Sequence, residues 1–388
     1  MTVFKKKTEL AKGVFWPSYL IGIAVIVLGI ANQKPFGSIL DAGLNWVSDN
    51  FGWWLVLFAL ILVLLVFGLA FSKAGDVVIG GAGAKPEYTM WQWFSMSLKG
   101  GIGTGILFWA MGEPIFHMAA PPAAAGAQPF TREAGLFAIS QTMLHWTIAQ
   151  YAMYSLCAVG VALMAYNRRR TISVSSIFEP YLSSSVYGVV KTVVPMVSLF
   201  CIVGALACSM AVGLMQINSG LNFFFGLPID GVTVFAIAAI MVTVYVVSCL
   251  TGIKKGMRVL SSFCTIVFIG LMVYVLCLGP TRFIVDAGTE SLGVFFNRFF
   301  EHSVILPTMA ENETWSKSWI IMFMASFFVY APIIGLFLAR LGKGRTVREF
   351  IFMNIGAPTL FCIVWIAIWG GTTVWLQYTG IMDVWQSV

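Results

Sequence analysis

Apolar residues along this chain fall in long blocks, not in strict alternation or in narrow helical stripes. Nine stretches, approximately 14–31, 51–72, 92–117, 135–166, 192–225, 232–250, 259–279, 316–340 and 350–378, are dominated by hydrophobic residues. A helix crossing the hydrocarbon core of a bilayer needs about 20 such residues, so the pattern predicts nine transmembrane helices. Stretches longer than that imply tilt, or helical ends that project beyond the lipid. Open β-structure is excluded, because edge N–H and C=O groups would go unsatisfied in hydrocarbon. The first stretch reads as a span and not as a cleavable signal peptide. Between the seventh and eighth spans, residues 282–306 mix Phe and Leu with Asp, Glu and Arg. That suits either an amphipathic helix lying on the outer interface or a plain loop helix.

Composition agrees with lipid as the solvent. Charged residues make up 10% of the chain and hydrophobic residues 59%, against about 25% charged in a soluble domain, which leaves too little polar surface for a water-soluble fold. A net charge of +7 would suggest nucleic acid in a soluble protein, but here it sorts by topology. One set of loops holds Lys5, Lys6, Lys7, Lys12, Lys73, Lys85, Arg168, Arg169, Arg170, Lys191, Lys254, Lys255, Arg258, Arg340, Lys343, Arg345 and Arg348. The other holds Lys34, Arg132, Arg282, Arg298 and Lys317. Seventeen against five is a strong positive-inside bias. It puts the N-terminus in the cytoplasm, makes the membrane the partner and leaves no role for nucleic acid. The seven cysteines stand singly in apolar stretches and read as buried free thiols. No metal or cofactor motif is visible. Without HExxH, a Ser/Lys dyad or paired intramembrane Asp, the chain does not read as an enzyme.

Polar groups and glycine clusters inside spans are informative because each is unfavourable there. Span three carries Lys99, the run Gly100-Gly101-Ile102-Gly103-Thr104-Gly105, and then Glu113-Pro114. Each glycine weakens a helix by roughly 1 kcal/mol relative to Ala. The run therefore suggests an unwound stretch at a ligand site, with close helix packing as the alternative. Glu113 reads either as a group that pairs with cations or protons or as a water-facing helix end. His145 reads as a packing histidine ahead of a proton relay. On span four, Trp146, Tyr151 and Tyr154 fall within an arc of about 140° at 100° per residue. Span eight has Phe323, Phe327, Phe328 and Tyr330. Two aromatic faces meeting in mid-membrane would hold a quaternary ammonium by cation–π attraction, although lipid-facing or packing aromatics account equally for the composition.

Four segments carry a resemblance: GIGTGILFWAMGEP (101–114), HWTIAQYAMY (145–154), TGIKKGMR (251–258) and APIIGLFLARLGKGRTVREF (331–350). Together, and in this order, they resemble the betaine/choline/carnitine transporter family. The resemblance implies an all-α polytopic membrane protein with a leucine-transporter-like inverted-repeat fold. Residues 1–90 would form two leading helices and 91–281 the first repeat of five helices. Residues 282–306 would be an amphipathic interfacial helix, and 316–388 the start of the second repeat with two helices. The family's twelve helices would be represented by nine, with the last three missing.

By the same resemblance the chain is a secondary transporter of quaternary ammonium compounds such as glycine betaine, carnitine or choline, working by alternating access. A non-transporting sensor or an inactive truncated relic of the fold is the alternative. The family's aromatic cage maps onto Trp146, Tyr151 and Tyr154 of span four and onto Ser326, Phe327 and Tyr330 of span eight. Phe116 matches a position that contributes an aromatic in carnitine exchangers. Gly101, Gly103 and Gly105 mark the helix break. Where members commonly have W-W-x-x-W or W-W-x-x-Y, this chain reads Ser-Phe-Phe-Val-Tyr, so one wall lacks its tryptophans. Arg258 matches the arginine that substitutes for sodium in sodium-independent exchangers, and Lys99 falls beside the same presumed site. A permanent guanidinium would fill that position electrostatically, which points to sodium-independent exchange or uniport. The resemblance further implies a homotrimer in the cell membrane.

Overall fold

The computed structural model describes residues 11–101, 105–251, 256–308 and 314–387. Its helices are α1 (Lys12–Ala31), α2 (Gln33–Phe71), α3 (Met90–Gly101), α4 (Gly105–Ala119), α5 (Arg132–His145), α6 (Ile148–Ala162) and α7 (Ser184–Phe225). They continue with α8 (Gly231–Leu250), α9 (Arg258–Leu278), α10 (Thr281–Asn297), α11 (Phe299–Ser303), α12 (Met322–Ala339), α13 (Val347–Ile351) and α14 (Ala357–Tyr378). Single π-helical turns extend α6 at Leu163–Asn167, lead into α12 at Lys317–Ile321 and join α13 to α14 at Phe352–Gly356. The fold is all-α, and eight helical stretches among the described residues are long and apolar enough to cross a membrane.

The third predicted span is described as α3 and α4, on either side of residues 102–104, which lie outside the described residues. The fourth span, read from sequence as one helix, is broken: α5 ends at His145, Trp146 and Thr147 leave helical geometry, and α6 begins at Ile148.

Packing is strongest around these two spans. α12 lies along α6, α14 along α4, α5 beside α4, and α10 across α5 and α14. About two-thirds of the apolar stretch of α5–α6 is buried (67%), against 6% in both α1 and α8. The outer helices α1 and α8 thus leave nearly all of their apolar side chains uncovered by the rest of the protein. The cysteines follow the same division. All seven are free, but Cys362 alone is fully buried, while Cys208, Cys249 and Cys277 are exposed. Reading them all as buried was too simple, because lipid serves a thiol as well as a protein core does. In the 282–306 segment, α10 buries Ile284, Ala287, Gly288, Ser291 and Phe295, one helical face packed on α5 and α14.

At the Lys/Arg-rich end, the quoted 331–350 segment is a clamp. Val78 and Thr346 form an antiparallel bridge, with Ile79 N donating to Arg345 O at 2.9 Å and Val347 N to Val77 O at 2.9 Å. Gly344 sits at φ +81°, and a Cβ there would lie 2.3 Å from the Lys85 carbonyl carbon. Thr346 and Glu349 close a capping box at the start of α13. Arg348 donates from Nε to Ala70 O at 2.9 Å and pairs with Asp76 at 2.7 Å, capping a carbonyl at the end of α2. The pair itself is largely exposed and contributes little. Arg348→Ala is expected to cost about 1 kcal/mol through the lost cap, read as faster limited proteolysis in the 72–89 loop with the bundle otherwise intact.

Candidate functional site

The break in the fourth span packs against the glycine run of the third. An aromatic ring from the fourth span lies on Gly101 of α3 and another on Gly105 of α4. A Cβ on Gly101 would stand 2.3 Å from Cε1 of Tyr151, and one on Gly105 would stand 2.8 Å from Cη2 of Trp146. The glycines therefore admit side chains of α5–α6 onto bare backbone. Gln150 donates from Nε2 to Gly101 O at 2.7 Å. Gly103, the middle glycine of the motif, lies outside the described residues.

From this junction an arc of rings runs along α12. Trp146 meets Phe323 edge to face at 5.3 Å between centroids, Phe323 meets Phe327 at 5.7 Å, and Phe327 meets Tyr154 edge to face at 6.4 Å. Tyr151 backs Tyr154 at 6.3 Å, with its hydroxyl 3.7 Å from Cys362 Sγ. Four of the sequence-predicted residues are thus brought together: Trp146, Tyr151, Tyr154 and Phe327. Tyr330 is not, because its hydroxyl donates to Ala205 O at 2.9 Å and lies 2.7 Å from Ser209 Oγ on α7. Phe328 also turns away, stacking on Phe58 of α2 at 5.7 Å. Ser326 is half-buried on α12, with no hydrogen bond to another described residue. Phe116 lies in an adjoining layer with Trp109, Trp319 and Trp385, at 5.4–6.2 Å, which joins the arc where Trp319 meets Phe323.

Behind Trp146 lies a fully buried polar cluster. Glu113 Oε2 accepts from Trp146 Nε1 at 2.7 Å. Its Oε1 accepts from His145 Nδ1 at 2.6 Å and from His117 Nε2 at 3.1 Å. Trp315 Nε1 donates to His117 Nδ1 at 3.1 Å, and Gln141 Nε2 lies 3.0 Å from His145 Nε2. Glu113, His117, His145 and Gln141 all have zero solvent exposure. Three N–H donors on one carboxylate satisfy it where water cannot. They also fix the orientation of the Trp146 ring. The ligand-type atoms of Glu113, His117 and His145 lie within 4.8 Å of one another, close enough for one metal ion, but the outer shell opposes it. Ligation through His117 Nε2 would put the ring proton on Nδ1, facing the N–H of Trp315. The donor chemistry fits hydrogen bonds and not a metal.

Lys99 is two residues from the end of α3. Its buried Nζ has no hydrogen-bond partner among the described residues and sits 3.2 Å from the centroid of the Phe268 ring on α9, a cation–π contact. Arg258 is half-buried at the start of α9, ten positions before Phe268, which is about 15 Å of helix rise. The two cations are therefore spread along α9 and do not share one position.

The residues that sequence reasoning underweighted are Glu113, His117, Gln141, His145, Trp315, Trp319 and Phe323. Their spacing did carry a signal. Glu113 and His117, like Gln141 and His145, are four apart and face the same way on a helix. Trp315, Trp319, Phe323 and Phe327 form a ladder at the same interval, with Trp319 stacked on Phe323 at 6.2 Å.

A helical bundle whose fourth span is interrupted beside an aromatic arc is an arrangement that transporters use around a substrate. Residues 13–388 match the family described as BCCT, betaine/carnitine/choline family transporter, and the chain belongs to that family. It is 28% identical to the glycine betaine transporter OpuD of Bacillus subtilis, over 96% of this chain and 72% of that one. It is 28% identical to an ectoine/hydroxyectoine transporter of Virgibacillus pantothenticus, over 95% and 73%. With a high-affinity choline transport protein of Escherichia coli it shares 29% identity, over 86% and 49%.

Gly101→Ala is expected to destabilise the protein by about 1–3 kcal/mol through overpacking against Tyr151. Gly22→Ala in α1, where nothing lies within 4 Å of the added carbon, should leave stability unchanged or raise it by up to about 1 kcal/mol. Thermal unfolding in detergent measures both.

Proposed function

We propose that this protein moves quaternary ammonium compounds across the cell membrane by alternating access, with the substrate held in the arc of Trp146, Tyr151, Tyr154, Phe323 and Phe327. The observation that carries this reading is the arc itself, set where the break in the fourth span packs on the glycines of the third. A methylated ammonium is large, weakly hydrated and unable to donate hydrogen bonds. Ring faces bind such a group through quadrupole attraction and apolar contact. The carbonyl end of α5 adds partial negative charge at the same junction. Names of the relatives span glycine betaine, ectoine and choline, which supports the class of small methylated or cyclic osmolytes.

Sodium independence is part of the proposal. Lys99 supplies a fixed ammonium beside the glycine run, and Arg258 matches the arginine of sodium-independent exchangers. A resident cation removes the electrostatic need for a bound ion. The Lys/Arg-rich end is the cytoplasmic one on the positive-inside bias, and the family resemblance extends to a homotrimer.

Proteoliposomes should take up or exchange at least one of labelled glycine betaine, choline and carnitine, and failure with all three would sink the reading. Trp146→Ala should weaken substrate binding by about 0.5–2 kcal/mol, roughly 2- to 30-fold in Kd. Flux should persist when sodium is replaced by N-methylglucamine; a strict sodium requirement would refute the role given to Lys99 and Arg258.

A further inference from the structure

Proton positions in the Glu113 cluster follow from its partners. The Trp315 indole can only donate, so His117 Nδ1 accepts and its Nε2–H goes to Glu113 Oε1. Gln141 Nε2 donates to His145 Nε2, which leaves His145 Nδ1–H for the same carboxylate oxygen. Both imidazoles are then neutral, and the cluster carries one uncompensated negative charge. A lone carboxylate with no solvent exposure, inside an apolar bundle, is costly and favours any cation that can reach it.

Two cations can. The first is a proton on His145 Nε2. Gln141 Oε1 is buried and has no hydrogen-bond partner among the described residues. Half a turn of that amide places this oxygen where the NH2 stood, giving the Nε2–H of an imidazolium its acceptor. One amide atom is unpaired in either orientation, so the turn loses no hydrogen bond. His117 lacks this freedom because its Nδ1 faces the Trp315 N–H. The second cation is a quaternary ammonium on the ring of Trp146, whose indole nitrogen is 2.7 Å from Glu113 Oε2. Either cation neutralises the carboxylate. Both together leave a net positive charge in a low-dielectric site, where like charges repel strongly.

We propose that this protein exchanges a proton held on His145 Nε2 for a cationic substrate in the aromatic arc, so that the two bind in competition and transport runs as proton–cation antiport. The inference rests on the arc being the substrate site. Its balance is simple: the proton passes to water as the substrate cation arrives and returns from water as it leaves. No other bond is made or broken.

Other ionisable side chains border His145 on the elements packed against it. α4 contributes Glu113 and His117. α6 contributes Tyr151 and Tyr154, α14 contributes Cys362, and α12 contributes no formal charge apart from the distant Tyr330 phenol. Lys317, before α12, is paired with Asp49 of α2. On α10, Glu290 is paired with Arg132 and Asp286 with Arg282, both near helix ends. On α11, His302 is separated from the cluster by the Phe137 ring. Burial holds its imidazole down to about 4, so it stays neutral throughout the measurement.

The test compares choline, whose charge is permanent, with its uncharged carbon isostere 3,3-dimethylbutan-1-ol. Binding to the full chain in nanodiscs is followed by tryptophan fluorescence from about pH 5 to about pH 8.5. Below the pH at which His145 takes its proton, the Kd for choline should rise about tenfold per pH unit, while that for the isostere stays flat. Gln141→Leu, which removes the imidazolium's acceptor, should move the onset to lower pH. A flat choline profile, or choline binding that tightens in acid as proton symport requires, overturns the antiport and leaves the substrate site standing. A protonated-carboxyl infrared band in acid that disappears in Glu113→Gln would put the proton on Glu113 and overturn the assignment to His145. If neither ligand binds at any pH, the arc is not the substrate site and the antiport falls with it.

Discussion

The architecture turns on a carboxylate that cannot reach water. Glu113 sits on α4 with zero exposure, and its two oxygens are satisfied by the N–H groups of His117, His145 and Trp146. Two donors come from the α5–α6 junction and one from α4, so this polar contact ties the third and fourth spans to each other. An unsatisfied carboxylate at such a depth would cost more than a typical packing defect. The pairing is therefore specific in a way that apolar contacts between lipid-immersed helices are not, since lipid competes for those on equal terms.

The use of glycine follows from the same geometry. Bringing Trp146 to Glu113 puts the indole edge over Gly105 and the Tyr151 ring over Gly101, positions where a Cβ would collide with them. Glycine at these sites trades helix propensity for backbone that rings can approach, and the Gly101 carbonyl accepts from Gln150. The aromatic arc is thus assembled by polar anchoring and close packing acting together. The clamp between residues 77–79 and 344–347 works at the Lys/Arg-rich end of the bundle, where backbone pairing and the Arg348 cap join α2 to α13.

Much of the site was legible in the chain. Trp146, Tyr151 and Tyr154 share a helical arc, and the glycine run announces an approach to backbone that the structure shows is made by rings. Tyr330 and Phe328 illustrate the limit. Both lie on span eight beside Phe327, yet one bonds α7 and the other stacks on α2, because one helix presents successive residues to different neighbours. Glu113, His117, Gln141 and His145 were visible as two pairs four residues apart. Nothing in either pair states that the two meet across 32 residues, since that contact depends on how α4 lies against α5.

The sequence by itself determined that the protein lives in lipid, that it is helical and roughly where its apolar spans lie, though not that α2 begins as early as Gln33 or α7 at Ser184. Each of these follows from the transfer free energy of residues taken in order along the chain. Only the tertiary structure decided that the fourth span breaks at Trp146, that one carboxylate holds both histidines, and which rings face the junction. Those features depend on contacts between helices distant in sequence. Hydrogen bonding and steric fit set them, and neither has a period that can be read along a single chain.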